Sequence, residues 1–182
     1  MTIKSKGCAL KLTEASIYVQ PNIRVDNWYV RFIKFLAKLR HCEKLQLIVG
    51  SGEGFLIPGS VKMESCPPLH GVKNLVVQLH SSLLKYAQVE LVQALLWLAP
   101  CLESLSINND SNPYCKFLKF TYEKPVEGKN CGCWKHALTE VSLENRSGDE
   151  DDTKLATFFS KVRVDGKTVC FVKNVRPGWY RR

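Results

Sequence analysis

Four short segments of the chain repeat one pattern, in which two apolar positions flank a single variable position. The segments are Cys42-Glu-Lys-Leu45-Gln-Leu47, Val72-Lys-Asn-Leu75-Val-Val77, Cys101-Leu-Glu-Ser-Leu105-Ser-Ile107 and Leu138-Thr-Glu-Val141-Ser-Leu143. With Leu45, Leu75, Leu105 and Val141 as anchors, the intervals are 30, 30 and 36 residues. A weaker copy, Leu10-Lys-Leu12, lies 35 residues before Leu45. Self-similarity at a fixed period of this length indicates an array of stacked structural repeats.

Two of the repeated segments follow a stretch with helical periodicity. Apolar residues recur at helical spacing from Asn27 to Leu39 and again from Val89 to Leu98, and each stretch ends a few residues before its cysteine. The order of helix, turn and strand therefore occurs twice. Together with the L-x-L strand core, this order predicts an α/β fold: a leucine-rich-repeat solenoid with a parallel concave sheet, outer helices and a partial array of about four or five units.

The remaining segments fit less regularly. The longer interval before Val141 predicts an insertion with a short extra strand over 117–120, and loops are predicted over 50–59 and 108–113. A further helix is predicted from Leu155 to Val162. Beyond it, the valines and Phe171 predict either a hairpin around Asp165-Gly166 or an irregular end. We therefore divide the chain into a leucine-rich-repeat region, 1–162, and a basic C-terminal segment of uncertain structure, 163–182.

Composition narrows the class of protein. The values of 45% hydrophobic and 24% charged residues are typical of a globular domain. The net charge of +9 is concentrated in two segments, 24–44 and 161–182, and charge alone does not favour a nucleic-acid site over other surfaces. No apolar run is long enough for a membrane span, and residues 1–16 do not resemble a secretory signal. We expect free thiols, no membrane association and a cytoplasmic or nuclear location.

Several longer matches resemble one known family. They are Leu39-Arg-His-Cys42-Glu-Lys-Leu-Gln-Leu47, Pro68-Leu-His-Gly-Val-Lys-Asn-Leu75, Leu96-Trp-Leu-Ala-Pro-Cys101-Leu-Glu-Ser-Leu105 and Cys131-Gly-Cys-Trp-Lys-His136-Ala-Leu-Thr-Glu-Val141. Over about two-thirds of its length, the chain resembles plant F-box/leucine-rich-repeat proteins with a C-terminal FBD-type region, which would begin here at about residue 131. The resemblance implies the substrate-binding part of an SCF-type ubiquitin-ligase receptor, whose repeats bind a protein target.

The resemblance has limits that shape the prediction. No F-box motif is recognisable, so we expect a truncated member for which binding of the ligase adaptor is not favoured. Family members continue after the FBD opening with another leucine-anchored strand, whereas 163–182 is basic and gives no match. The alternatives are a basic nucleic-acid-binding module and a fragment without function.

Two clusters of chemically active residues have structural explanations. Cys131, Cys133 and His136 contain zinc-binding residue types, but structural zinc sites favour a wider cysteine spacing and a second pair. The acidic run from Asp149 to Asp152 precedes a predicted helix, where carboxylates cap free N–H groups and meet the positive end of the helix dipole. We therefore predict no catalytic residues, no metal site and no cofactor.

Alternation along the predicted strands selects the candidate binding residues. On an x-L-x-L-x strand the leucines face the core and the intervening residues face outward, here onto the concave surface. These short polar groups fit a protein or peptide partner better than a small molecule. The partner-binding residues predicted in this way are Lys44, Gln46, Asn74, Gln78, Ser104, Ser106, Asn108, Glu140, Ser142 and Glu144.

Overall fold

A computed structural model describes residues 3–5, 13–20, 27–50, 56–80, 88–109, 112–123, 138–145, 150–164 and 166–175. The strands in these ranges are β1 (Ile3–Ser5), β2 (Glu14–Val19), β3 (Lys44–Val49), β4 (Asn74–Leu79), β5 (Ser104–Asn109), β6 (Asn112–Tyr122), β7 (Leu138–Asn145), β8 (Arg163–Val164), β9 (Lys167–Thr168) and β10 (Cys170–Val175). The helices are α1 (Trp28–Leu36), extended by a 3-10 turn (Ala37–Leu39), α2 (Gly59–Glu64), α3 (Gln88–Leu98) and α4 (Glu150–Ser160).

The fold is α/β, with one mixed and mostly parallel sheet. Its strand order among the described residues is β1-β2-β3-β4-β5-β6-β7-β10, and β8 pairs separately with β9. Strands β2 to β5 are parallel neighbours, and β10 is parallel to β7. The predicted helices over 27–39, 89–98 and 155–162 are confirmed to within a few residues, whereas the sequence did not predict α2.

A backbone hydrogen-bonding pattern recurs every 30 residues, just before each of the first parallel strands. The carbonyl of Thr13 accepts N–H groups from residues 43 and 44, and the carbonyl of Glu43 accepts those of residues 73 and 74, all over 2.9–3.0 Å. The carbonyl of Lys73 does the same for residues 103 and 104, over 2.8 and 3.0 Å. The 30-residue period read from the sequence is therefore a real structural repeat that holds successive units in one register.

The first strand of this repeat differs from the one predicted. Leu10-Lys-Leu12 lies outside the described residues, and the strand that pairs with β3 is β2, with Ala15 opposite Leu45. The repeat therefore begins with Ala15 and Ile17 at its two apolar positions, again 30 residues before the next anchor. This strand was not recognised in the sequence because Ala15 and Ile17 take the place of leucine. Any apolar side chain that fits the core can occupy these positions.

The register also changes the assignment of the cysteines. Because Leu45 and Leu105 occupy equivalent positions, the equivalent of Cys42 is Leu102 rather than Cys101. Cys42 is buried and Cys101 is half-buried; burial raises the pKa of both thiols. Cys42 thus serves as a small core residue, whereas Cys101 does not share its repeat position.

An antiparallel strand interrupts the parallel order, so the predicted parallel sheet is mostly parallel rather than parallel throughout. Strand β6 spans 112–122, far more than the short strand predicted, and it lies between β5 and β7. The loop predicted over 108–113 is mostly strand, because β5 ends at Asn109 and β6 begins at Asn112. Such a short connection joins only antiparallel neighbours. At the other end of β6, the Tyr122 hydroxyl donates a 2.7 Å hydrogen bond to the Leu102 carbonyl, and burial raises the pKa of this hydroxyl.

The sheet continues past residue 162, where the repeat region was predicted to end. The predicted hairpin is present as β8 and β9, with Gly166 at a positive φ of 80° that favours glycine. It leads into β10, which pairs with β7 so that Phe171 lies opposite Val141. Phe171 therefore occupies the anchor position of another repeat, 30 residues after Val141, in the segment that gave no match.

One hydrophobic core lies between the sheet and the helices. The strands supply their anchor residues and the helices supply Phe32 and Leu36 of α1, Leu91 and Leu95 of α3, and Leu155 and Phe159 of α4. Burial along β3 alternates, with Leu45, Leu47 and Val49 buried and the residues between them more exposed. The helices thus cover one side of the sheet, which we call the helix side. The other side we call the open face.

We predict that Gly71→Ala lowers the free energy of unfolding by about 2 kcal/mol, because overpacking forces the backbone to move. A Cβ at Gly71 would collide with the Arg40 carbonyl oxygen, to which the Gly71 N–H donates a 3.0 Å hydrogen bond. Gly59→Ala is the control, since a Cβ there meets nothing within 4 Å. Urea unfolding of both variants gives the comparison, and equal stabilities would contradict the close approach at Gly71.

Candidate recognition face

All ten predicted binding residues lie on described strands and at alternate positions. Lys44, Asn74 and Ser104 are paired across β3, β4 and β5, and Gln78 is paired with Asn108 two outward rows further along. Gln46 and Ser106 occupy the row between these two, on either side of Val76. Glu140, Ser142 and Glu144 lie on β7, separated from the others by β6. Register therefore brings the first seven together on the open face.

The open face also includes residues that the sequence analysis missed. Residues paired directly across a sheet point to the same side, so each neighbouring strand adds to this surface. The additional residues with described side chains are Glu14, Ser16, Tyr18, Ile48, Val76, Phe117, Lys119, Thr121, Cys170, Val172 and Asn174. The residues on β2, β6 and β10 were missed because none of these strands was correctly aligned with the repeats.

Side-chain hydrogen bonds link neighbouring strands across the open face. The Ser16 hydroxyl donates to Oε1 of Gln46 over 3.3 Å, and Nε2 of Gln46 donates to Oε1 of Gln78 over 3.3 Å. The Ser104 hydroxyl donates to Oδ1 of Asn74 over 2.7 Å. These bonds orient the amide groups, so each side chain presents a defined set of remaining donors and acceptors.

The charge on this surface is partly balanced by an ion pair. Lys44 lies 2.7 Å from Glu14, and that hydrogen bond and charge raise the pKa of Lys44. From β3 to β5 the other outward residues are uncharged. Lys119 of β6 then adds a cation beside Ser104 and Ser142. The open face is thus neutral across β2 to β5, with charged groups on β6 and β7.

A buried charge cluster lies beneath this surface, on the helix side of β6. Asp152, in the first turn of α4, has a side chain only 2% exposed. Its Oδ1 lies 3.3 Å from Nζ of Lys116, whose side chain is 8% exposed, and its Oδ2 lies 2.8 Å from Nζ of Lys173. One carboxylate therefore joins the inserted strand, a helix and the edge strand β10. Asp152 was predicted to interact with the N–H groups and the dipole at the start of the helix. Its pairing with Lys116 and Lys173 was not predicted.

The zinc-binding residue types found in the sequence, Cys131, Cys133 and His136, lie outside the described residues. Within the described ranges, no group of three or more His, Cys, Asp or Glu residues is placed to hold a metal ion. A search of the same ranges found no helix that combines the length and the apolar character needed to span a membrane.

Comparison with known proteins gave no match. No family model matches the chain, and no curated protein or solved structure matches it.

We predict that Asp152→Asn lowers the free energy of unfolding by about 3 kcal/mol, because it removes the charge of the buried carboxylate that pairs with the buried Lys116 ammonium. Glu123→Gln is the matched control: Glu123 pairs with Lys167 at 4.0 Å on the surface, where such a pair contributes less than about 1 kcal/mol. Adding Lys116→Met to Asp152→Asn should recover part of the loss. Urea unfolding measures all three, and equal losses in the two single variants would contradict the cluster's role.

Proposed function

We propose that the chain is a leucine-rich-repeat solenoid whose open face is concave and binds a protein or peptide partner without catalysis. The observation that carries the proposal is the row-by-row register of β2 to β5, which aligns uncharged polar side chains on one surface. The residues in these rows lie on the side of the sheet opposite the described helices and are at least partly exposed.

The dimensions of the surface favour a macromolecular partner. Neighbouring strands are about 4.8 Å apart, so the seven strands from β2 to β10 extend over roughly 29 Å. A small molecule needs a concave pocket that encloses most of its surface, whereas a broad ladder of amides and hydroxyls fits an extended protein surface. The half-buried Ile48, Val76 and Phe117 add apolar contact area among the polar groups.

The proposed biological role rests on the resemblance to F-box/leucine-rich-repeat proteins. On that basis we propose that the chain corresponds to the substrate-binding part of an SCF-type ubiquitin-ligase receptor, located in the cytoplasm or nucleus. The partner would then be a protein target rather than the ligase adaptor, since no F-box motif is recognised in the sequence. The repeated strand register supports a repeat protein and is independent of this family assignment.

The proposal is tested by affinity capture from plant extract with the tagged chain and a variant carrying Gln46→Arg, Ser106→Arg and Ser142→Arg. These positions lie on β3, β5 and β7, and all three face outward, so the substitutions add bulk and charge without entering the core. We expect the captured partner to bind the variant at least about tenfold more weakly, because its central contacts are displaced. Identical circular dichroism spectra must first show that both proteins are folded.

A charge-matched control separates a specific face from a general effect of added charge. Gln93→Arg, Thr153→Arg and Thr157→Arg add the same three charges at exposed positions of α3 and α4, on the helix side. A partner that is lost only with the open-face variant supports the proposal. Loss with both variants, or retention by both, would reject the open face as the binding site.

A further inference from the structure

The chain's positive charge is not spread evenly, and one part of it forms a compact surface. Arg31, Lys34 and Lys38 follow each other at helical spacing along α1 and its 3-10 extension, and all three side chains are exposed. They lie along one side of the helix over about 10 Å. We call these three residues the basic stripe.

The fold fixes which way the basic stripe points. Phe32, Ile33 and Leu36 of α1 are buried in the core on the helix side of the sheet. The exposed side of α1 therefore faces away from the sheet and from the open face. The sequence located these cations near one another, but only the burial of the neighbouring apolar residues shows that they share one solvent-facing surface.

Within the described ranges, the basic stripe has no acidic partner. The sequence from Asn27 to Cys42 contains no Asp or Glu, so α1 has no acid of its own. In these ranges ion pairs form at Lys44, Lys73, Lys116, Lys167 and Lys173, whereas no described acid pairs with the stripe. The three cations of the stripe are therefore available to a polyanion.

The surroundings of the stripe distinguish between classes of polyanion. A membrane-binding helix would insert exposed apolar residues into the lipid, but the apolar side of α1 is already in the core. Protein interfaces have an apolar or aromatic centre, and the stripe consists of charged residues alone. A phosphate backbone needs only closely spaced cations, because the release of condensed counterions supplies the affinity.

We propose that the basic stripe binds the phosphate backbone of a nucleic acid without reading its sequence. Arg31 can donate two parallel N–H bonds to one phosphate, and Lys34 and Lys38 act as point charges on the phosphates that follow. The net charge of +9 attracts such a partner from a distance and speeds association. This site is on the opposite side of the sheet from the proposed protein-binding face and does not depend on it.

The test is fluorescence anisotropy of the full chain with a labelled single-stranded RNA of mixed sequence, between about 50 and 200 mM salt. Three phosphate contacts predict that the logarithm of affinity falls with the logarithm of salt with a slope of roughly −2 to −3. The variant Lys34→Gln/Lys38→Gln should bind at least about tenfold more weakly at low salt, with a slope shallower by about 1.5. DNA of the same sequence in a parallel titration shows whether the sugar matters.

The matched control is Lys161→Gln/Arg163→Gln, which removes the same charge from exposed positions at the end of α4 and in β8. Retained binding by this variant, together with loss in the stripe variant, supports the proposal for RNA or DNA alike. Equal weakening of both variants would show that only net charge matters, and this would overturn the proposal. Absence of binding by the unmodified chain, or equally tight binding of labelled poly-glutamate at the same salt, would also overturn it.

Discussion

The sheet depends on one backbone interaction that recurs every 30 residues. The carbonyls of Thr13, Glu43 and Lys73 each accept two N–H groups from the start of the next unit. No side chain takes part in these bonds, which explains how a hydroxyl, an acid and a base can occupy equivalent positions. What the interaction does require is a constant interval and a close approach of the backbone, as at Gly71. Every later feature follows from this register, because it decides which residues lie side by side.

Because neighbouring strands pair in register, the residues that alternate along each strand form two continuous surfaces. The apolar positions of neighbouring strands meet on the helix side and form one core, and the positions between them meet on the open face. There the chain of hydrogen bonds from Ser16 through Gln46 to Gln78 orients the two amides before any partner arrives. Groups held in place in this way lose less conformational entropy on binding than free side chains would. The same bonds that tie the strands together thus prepare the surface proposed for recognition.

The sequence predicted the regular part of this fold and missed its irregular part. Helices α1, α3 and α4 and strands β3 to β5 were predictable because their periodic apolar residues coincide with their burial. Strand β2 was missed, and β10 was predicted only as part of a possible hairpin, because Ala15 and Phe171 take the anchor position that leucine or valine holds in the other repeats. Strand β6 begins within a run of Asn, Ser and Pro that is typical of turns, and pairing with β5 and β7 overrides that local preference. The cluster around Asp152 joins residues far apart in sequence, so no local pattern indicates it.

The distribution of charge relates the two sides of the molecule. The net charge of +9 does not lie on the first strands of the open face, because Glu14 neutralises Lys44 there in an ion pair. Buried Asp152 pairs with two further lysines beneath β6 and β10 and offsets one of their two charges. The helix side therefore carries uncompensated cations on α1, while the open face offers neutral hydrogen-bonding groups across β2 to β5. The two proposed partners therefore differ in chemistry, and because α1 points away from the open face, a partner on one surface would leave the other accessible.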